Sequence, residues 1–213
     1  MQMAVNLQSP ATALIVVDVQ NDFLPGGALA VTEGDAVIEP INVLMRSAGC
    51  VVLTADWHPA EHESFACNHA GCRPFETIVM PYGEQVLWPA HCVTGTHGAR
   101  FAETLQDDRA HLILRKGTYR WRDSYSAFVE ADGKTTTGLA GWLRQRGISS
   151  VLVCGLAADY CVSWTALDAA REGFATSVVI DATRAIAEAT YEQAKQQWRQ
   201  AGIDCVTSSQ LLA

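Results

Sequence analysis

Five short runs set the terms for this chain: ALIVVD (13–18), CVVLTAD (50–56), HLILRK (111–116), SVLVCG (150–155) and SVVID (177–181). Each is rich in β-branched residues and apolar at successive positions, so both faces of the strand it forms must be covered. That is the mark of a parallel sheet sandwiched between helices. A sixth run, DCVTSS (204–209), extends the series. Helical patterns fall between the strands, at about 34–48, 136–147, 158–172 and 188–201. Gly49, Gly147, Gly173 and Gly202 stand just past them, where helix C-caps belong. Strand and helix in alternation imply right-handed crossovers. The expected fold is therefore α/β: a three-layer α-β-α sandwich around a central, mostly parallel sheet of about six strands.

No linker, repeat or low-complexity tract interrupts residues 1–213, so one domain is expected. The exception to the rhythm is the stretch from about 56 to 110, rich in Gly, Pro, His and Trp and weakly periodic. A connection that long in a compact domain is usually functional. The net charge of −8 argues against a nucleic-acid face, which needs a basic surface. No apolar run reaches the roughly 18 residues of a membrane span. The N-terminus, MQMAVNLQSPATALIVVDVQ, lacks the basic start and cleavage site of a secretory signal. Seven cysteines without regular spacing read as reduced thiols, which places the protein in the cytoplasm with a small-molecule substrate; a homo-oligomer is compatible with the sequence.

In open α/β sheets, ligands sit beyond the carboxyl ends of the strands. There the first strand delivers Asp18, the second Asp56 and His58, the third Lys116, and the fourth leads through GLAAD to Cys161. Taken singly, each has a bland explanation: a capping aspartate, a solvated lysine, a core thiol. Together a thiol, an ammonium and a carboxylate at one sheet edge suit nucleophilic catalysis. Cys161 is expected about one turn into its helix, where unpaired N–H groups lower a thiol's pKa. The other six cysteines are expected to be structural, with Cys50, Cys154 and Cys205 in strand interiors.

Five blocks stand in order along the chain, VVDVQNDFLPGGALAV, TADWHPAEHESFACNH, YGEQVLWPAHCVTGT, LRKGTYRWRDSYSAF and VCGLAADYCVSWTALDA, within a likeness that runs from about residue 13 to 208. In them the sequence resembles the nicotinamidase family, amide hydrolases of the isochorismatase-like superfamily. The resemblance implies a triad of Asp18, Lys116 and Cys161, an oxyanion site made by the N–H groups of Ala157 and Cys161, and a cis Leu156–Ala157 peptide. It implies hydrolysis of nicotinamide, and of pyrazinamide, through a thioester, in NAD salvage. It also implies a ring clamp of Phe23, Trp88 and Tyr125, for which core packing is the plain alternative.

Asp56-x-His58 with the distant His91 offers mixed N/O ligands suited to one divalent Zn, Fe or Mn ion. The resemblance assigns the metal to these three, with His62, Ser64 or water as a further contact. In the family the ion binds the pyridine nitrogen of the substrate. Cys67, His69 and Cys72 imitate half a zinc finger, but the second pair that structural zinc needs is missing. His97 and His111 are expected to have no functional role, with His111, at the start of a strand, a surface or edge residue. ADGKTTTG (131–138) is no phosphate loop, because Phe128 stands where the first glycine is required. Two rival readings stand beside the amidase. One is a sister enzyme acting on a ureido or N-carbamoyl substrate, which would lack this metal set. The other is a non-catalytic metal-binding scaffold, against which the intact triad argues. Isochorismate-cleaving relatives work without a cysteine nucleophile, so Cys161 argues against that chemistry.

Overall fold

A computed structural model describes residues 6–213. Six strands form the main sheet: β1 (Thr12–Val17), β2 (Val51–Asp56), β5 (Leu112–Lys116), β6 (Ser150–Leu156), β7 (Ala175–Arg184) and β8 (Asp204–Val206). Their spatial order is β5-β2-β1-β6-β7-β8, and every neighbouring pair is parallel. β1 pairs with β6 from Thr12–Ser150 to Val17–Gly155, and β2 with β5 up to Asp56–Lys116.

Both faces of β1 are buried, which is why its sequence is apolar without alternation. Leu14 and Val16 join one core with Ile41, Leu44 and Met45 of α1 (Ile38–Ser47). Ala13, Ile15 and Val17 face the other core. There they share a cluster with α2 (Leu139–Gln145), α3 (Cys161–Arg171) and α4 (Glu188–Gln200). The three-layer α/β sandwich expected from the strand pattern is the fold observed. Trp198 of α4 is fully buried and donates its indole N–H to Ser163 Oγ at 3.0 Å, so α4 is tied to α3 by both packing and a satisfied polar group.

Several boundaries differ from the sequence expectation. Residues 34–37 form a 3-10 turn ahead of α1, whose Pro40 is tolerated in the first helical turn. α2 begins at Leu139 because Gly138 adopts φ +90°. α3 begins at Cys161, not 158, since the Tyr160 and Val162 N–H groups both close on Ala157 O. The last strand stops at Val206; Thr207 then caps α5 (Ser208–Leu212) in a reciprocal bond with Gln210. β8 is an edge strand, so Cys205 is exposed and not interior. The long 56–110 connection contains an unanticipated antiparallel hairpin, β3 (Thr77–Met80) and β4 (Gly83–Val86). No described helix is long and apolar enough to cross a membrane.

Candidate active site

From β1 the chain proceeds outward to β2 and β5, then crosses to the other side for β6, β7 and β8. The crevice between β1 and β6 is therefore the topological switch point, where α/β sheets hold ligands. Asp18 directly follows β1 in a left-handed conformation (φ +49°), Asp56 ends β2, Lys116 ends β5, and Cys161 opens the helix after β6.

These side chains meet. The buried Lys116 Nζ lies 2.8 Å from Asp18 Oδ2, 2.5 Å from Asp56 Oδ1, 2.9 Å from the Ser124 carbonyl oxygen and 3.4 Å from Cys161 Sγ. Thr54 Oγ1 donates to Asp18 Oδ1 at 2.6 Å. Asp18 Oδ2 is ion-paired with the ammonium, and the Asp18 carboxyl also faces the Cys161 thiol as a hydrogen-bond acceptor. A carboxylate oxygen of Asp18, one of Asp56 and the thiol sulfur all lie within 4.8 Å of one another.

The electrostatics correct one expectation. Burial, reinforced by the charges of Asp18 and Asp56, outweighs Lys116 and holds the Cys161 thiol well above its ordinary value of 9.0. The helix N-terminus does not produce a resting thiolate. Asp18 is also raised, because burial and the Asp56 charge exceed the pull of Lys116. Asp56 is held low: against its burial, Lys116 and His58 stabilise the ionised form. The pair at the thiol thus consists of a protonated nucleophile and a carboxyl of enhanced basicity.

Beside this pair lies a second convergence. His58 donates Nδ1–H to Gly117 O at 2.9 Å, and His91 donates Nδ1–H to Pro89 O at 2.8 Å. Carbonyls only accept, so in each neutral ring the lone pair sits on Nε2, and both Nε2 atoms face Asp56 Oδ2, at 3.7 and 3.9 Å. Against its burial, the Asp56 carboxylate raises His58 above its ordinary pKa, the pull of an anion on a ring that a bound cation would satisfy instead. Two imidazole lone pairs and a carboxylate oxygen, each ring oriented by a backbone carbonyl, form a donor set that fits one divalent cation. His62 does not add a free lone pair. Its Nδ1 is engaged by Ser64 at 2.7 Å and its Nε2 by Arg122 O at 3.1 Å. Burial holds His62 below its ordinary pKa, in keeping with a neutral ring. Cys67 is exposed, Cys72 partly exposed, and His69 bonds Glu63 O at 2.7 Å; none of the three joins a metal-ligating group among the described residues.

The pocket over Cys161 is lined by the expected Phe23, Trp88, Tyr125 and Ala157, and also by Leu29, Asp123, Tyr160 and Ile186, which no motif singles out. Trp88 packs edge-on against Tyr160 (5.0 Å) and Tyr125 (6.4 Å). The Leu156–Ala157 peptide is cis, as the resemblance implies, and the N–H groups of Ala157 and Cys161 bond no acceptor among the described residues. Gln20 is another residue without a sequence signal. Buried, it donates from Nε2 to Asp56 O and Ala99 O and accepts from Asp56 N, each at 2.8 Å, which pins the backbone that carries Asp56. A larger groove of about 550 Å³ between α3 and α4 holds neither a thiol nor a metal-ligating set.

Comparison with known proteins shows the family of the chain. Residues 12–210 match the isochorismatase domain model. The chain belongs to the isochorismatase family. A nicotinamidase of Acinetobacter baylyi is 50% identical over 96% of both chains. Among solved structures, an Acinetobacter baumanii nicotinamidase/pyrazinamidase superposes with a TM-score of 0.94 at 53% identity, covering 96% of this chain and 99% of that one. A protein of L. infantum in complex with nicotinate reaches 0.86 at 37% identity over 98% of both chains. A Pyrococcus horikoshii pyrazinamidase in complex with zinc reaches 0.76 at 38% identity, covering 93% of this chain and 99% of that one.

Proposed function

We propose that this protein is a nicotinamidase, a single-domain cysteine amidohydrolase that converts nicotinamide to nicotinate and ammonia and accepts pyrazinamide. The observation that carries the reading is the placement of Cys161, Asp18 and Lys116 at one end of an aromatic-lined pocket whose other wall presents Asp56, His58 and His91. Identity of 50% to a nicotinamidase supports the same substrate.

The side chains divide the work as follows. Asp18 takes the thiol proton through the carboxyl that the thiol faces, and its raised pKa suits a base that must also return the proton. Lys116 remains charged and stabilises the thiolate as it forms. Sulfur attacks the carboxamide carbon, and the N–H groups of Ala157 and Cys161 receive the oxyanion. Donors of that kind are worth about 10²–10³ in rate. Asp18 protonates the departing nitrogen and ammonia leaves a thioester on Cys161. Water, deprotonated by Asp18, then releases the acid and restores the thiol. Phe23, Trp88 and Tyr125 hold the ring so that the amide meets sulfur, an orientation effect that lowers the barrier. Asp56, His58 and His91 would hold a divalent Zn, Fe or Mn ion, which when bound supplies a Lewis-acid contact for the pyridine nitrogen.

Seven free thiols and the net charge of −8 support a cytoplasmic enzyme with a small-molecule partner, serving NAD salvage. The test is ammonia release from nicotinamide before and after chelation and metal re-addition, with Cys161→Ala as the inactive control. Rapid release that depends on Cys161 supports the reading, and no release from folded, metal-replete protein refutes it.

A further inference from the structure

Gln85 lies on β4 of the hairpin inserted in the long connection and is 99% buried, an unusual place for an amide on a strand whose other residues are exposed or half-buried. Its Nε2 lies 2.7 Å from Asp123 Oδ2, 2.7 Å from Val86 O and 3.0 Å from Tyr125 Oη. Its Oε1 accepts from Tyr82 Oη at 3.0 Å. Those partners allow one orientation of the amide. Rotated by 180°, its oxygen would face a carboxylate and a carbonyl, acceptor against acceptor. Asp123 is held in turn, because its Oδ1 accepts from Ser124 N at 2.9 Å.

The chain of bonds ends at the substrate pocket. Tyr125 Oη also accepts from Trp88 Nε1 at 3.0 Å. The indole N–H is a full donor, whereas the Gln85 amide has two N–H groups for three acceptors, so the phenol oxygen shares one of them with Asp123 or Val86. The phenol oxygen thus faces a donor on each side, and its own proton is committed to neither. Tyr125 is a wall of the cavity over Cys161, and Trp88 and Asp123 are its neighbours in that wall. Hairpin, loop 123–125 and tryptophan are thus joined through one amide.

We propose that Gln85 is a positioning residue for the hydrolysis, setting the ring of Tyr125, and through Tyr125 that of Trp88, at the angle the substrate ring requires. It does not touch the thiol and is not itself part of the pocket lining. The proposal rests on the aromatic-amide reading of the pocket. It gives the hairpin a role, which is to carry Gln85 beneath the substrate wall. Loss of the amide leaves Tyr125 held by Trp88 alone and Asp123 short of a donor, while Cys161, Asp18 and Lys116 keep all their contacts. The expected signature is a defect in binding rather than in chemistry.

Gln85→Met keeps the length and volume of the side chain without its hydrogen bonds. It should raise KM roughly 3- to 10-fold, the range for one or two lost hydrogen bonds, with kcat within about 2-fold of wild type. The rate of Cys161 alkylation by iodoacetamide should be unchanged. Combined with Tyr125→Phe, its effect on KM should be clearly less than multiplicative, because both act through the same phenol. Tyr82→Phe removes only the donor to Gln85 Oε1 and should show the same split at smaller amplitude; it serves if Gln85→Met does not fold. Wild-type turnover of nicotinamide reports separately on the substrate reading, and the variant ratios are taken on whichever small aromatic amide the wild-type enzyme hydrolyses. An unchanged KM in folded variants, a loss confined to kcat, or multiplicative effects in the double variant would overturn the proposal.

Discussion

Replacing Gly117 by alanine should detach His58 from its place without touching any reacting atom. Gly117 sits at φ +63°, a region that costs an L-residue about 1–2 kcal/mol. A Cβ there would lie 2.3 Å from His58 Cε1 and 2.6 Å from Nδ1, whereas ordinary contact begins at 3.4 Å. The ring must retreat by about 1 Å, or the Gly117 carbonyl that accepts from its Nδ1 must give way. Either movement takes Nε2 out of line with Asp56 and His91. Loss of such an orienting contact typically costs about 10–100-fold in metal affinity, and a misplacement of about 1 Å costs on the order of 10² in rate. Against a typical stability of about 5–15 kcal/mol, the backbone penalty leaves the fold intact. The assays are chelator competition for the bound metal and kcat/KM as a function of added metal, with circular dichroism as the control for folding. Folded Gly117→Ala with wild-type metal affinity and wild-type kcat/KM would refute the argument from the clash.

Three further outcomes follow from other contacts. Gly141, inside α2 with no atom within 4 Å of an added Cβ and no positive φ, is the contrasting glycine: Gly141→Ala should stabilise by about 0.5–1 kcal/mol in urea unfolding, and a loss would contradict the open space. Lys116→Met leaves Asp18 and Asp56 buried without their shared cation and should cost about 3–5 kcal/mol. Adding Asp18→Asn should recover part of that loss; equal or greater destabilisation of the double variant would show that charge is not the cause. Because burial and two carboxylates raise the Cys161 thiol above 9.0, it is protonated at neutral pH. Its labelling by iodoacetamide should therefore climb about tenfold per pH unit from 6 to 8, behind the exposed Cys67 and Cys205. A rate independent of pH over that range would mean a resting thiolate.

The run ALIVV of β1 is covered on both faces and apolar throughout, so Asp18, the first polar residue after it, marks the edge of the sheet. Asp56 and Lys116 are read less directly: Thr54 and Arg115 precede them, and β5, an edge strand, alternates half-buried and exposed residues where two covered faces are expected. The hairpin gives no such sign, since TIVM and GEQV are too short and too exposed to show a clean alternation. Gln20, Gln85 and Asp123 carry no periodic signal either. Their importance lies in partners 36 to 79 positions away, which only the folded chain brings within reach. The thiol's protonation escapes the sequence for a related reason: the helix end and the lysine are visible there, but not the full burial or the two carboxylates on the same sulfur.

The pairing of β1 with β6 joins residues 138 positions apart at the centre of the sheet, and Gly155 permits it by coming so close to Val17 that a Cβ would lie 2.1 Å from the Val17 carbonyl oxygen. Contacts of such sequence separation carry a large loop-closure cost. A ribosome delivering this chain must therefore release the first three-quarters of it before base and nucleophile can meet. Until then the thiol at 161 has no base, cation or oxyanion site beside it, so a nascent or truncated chain carries an ordinary exposed cysteine and no hydrolytic site, which exists only once the two strands have paired.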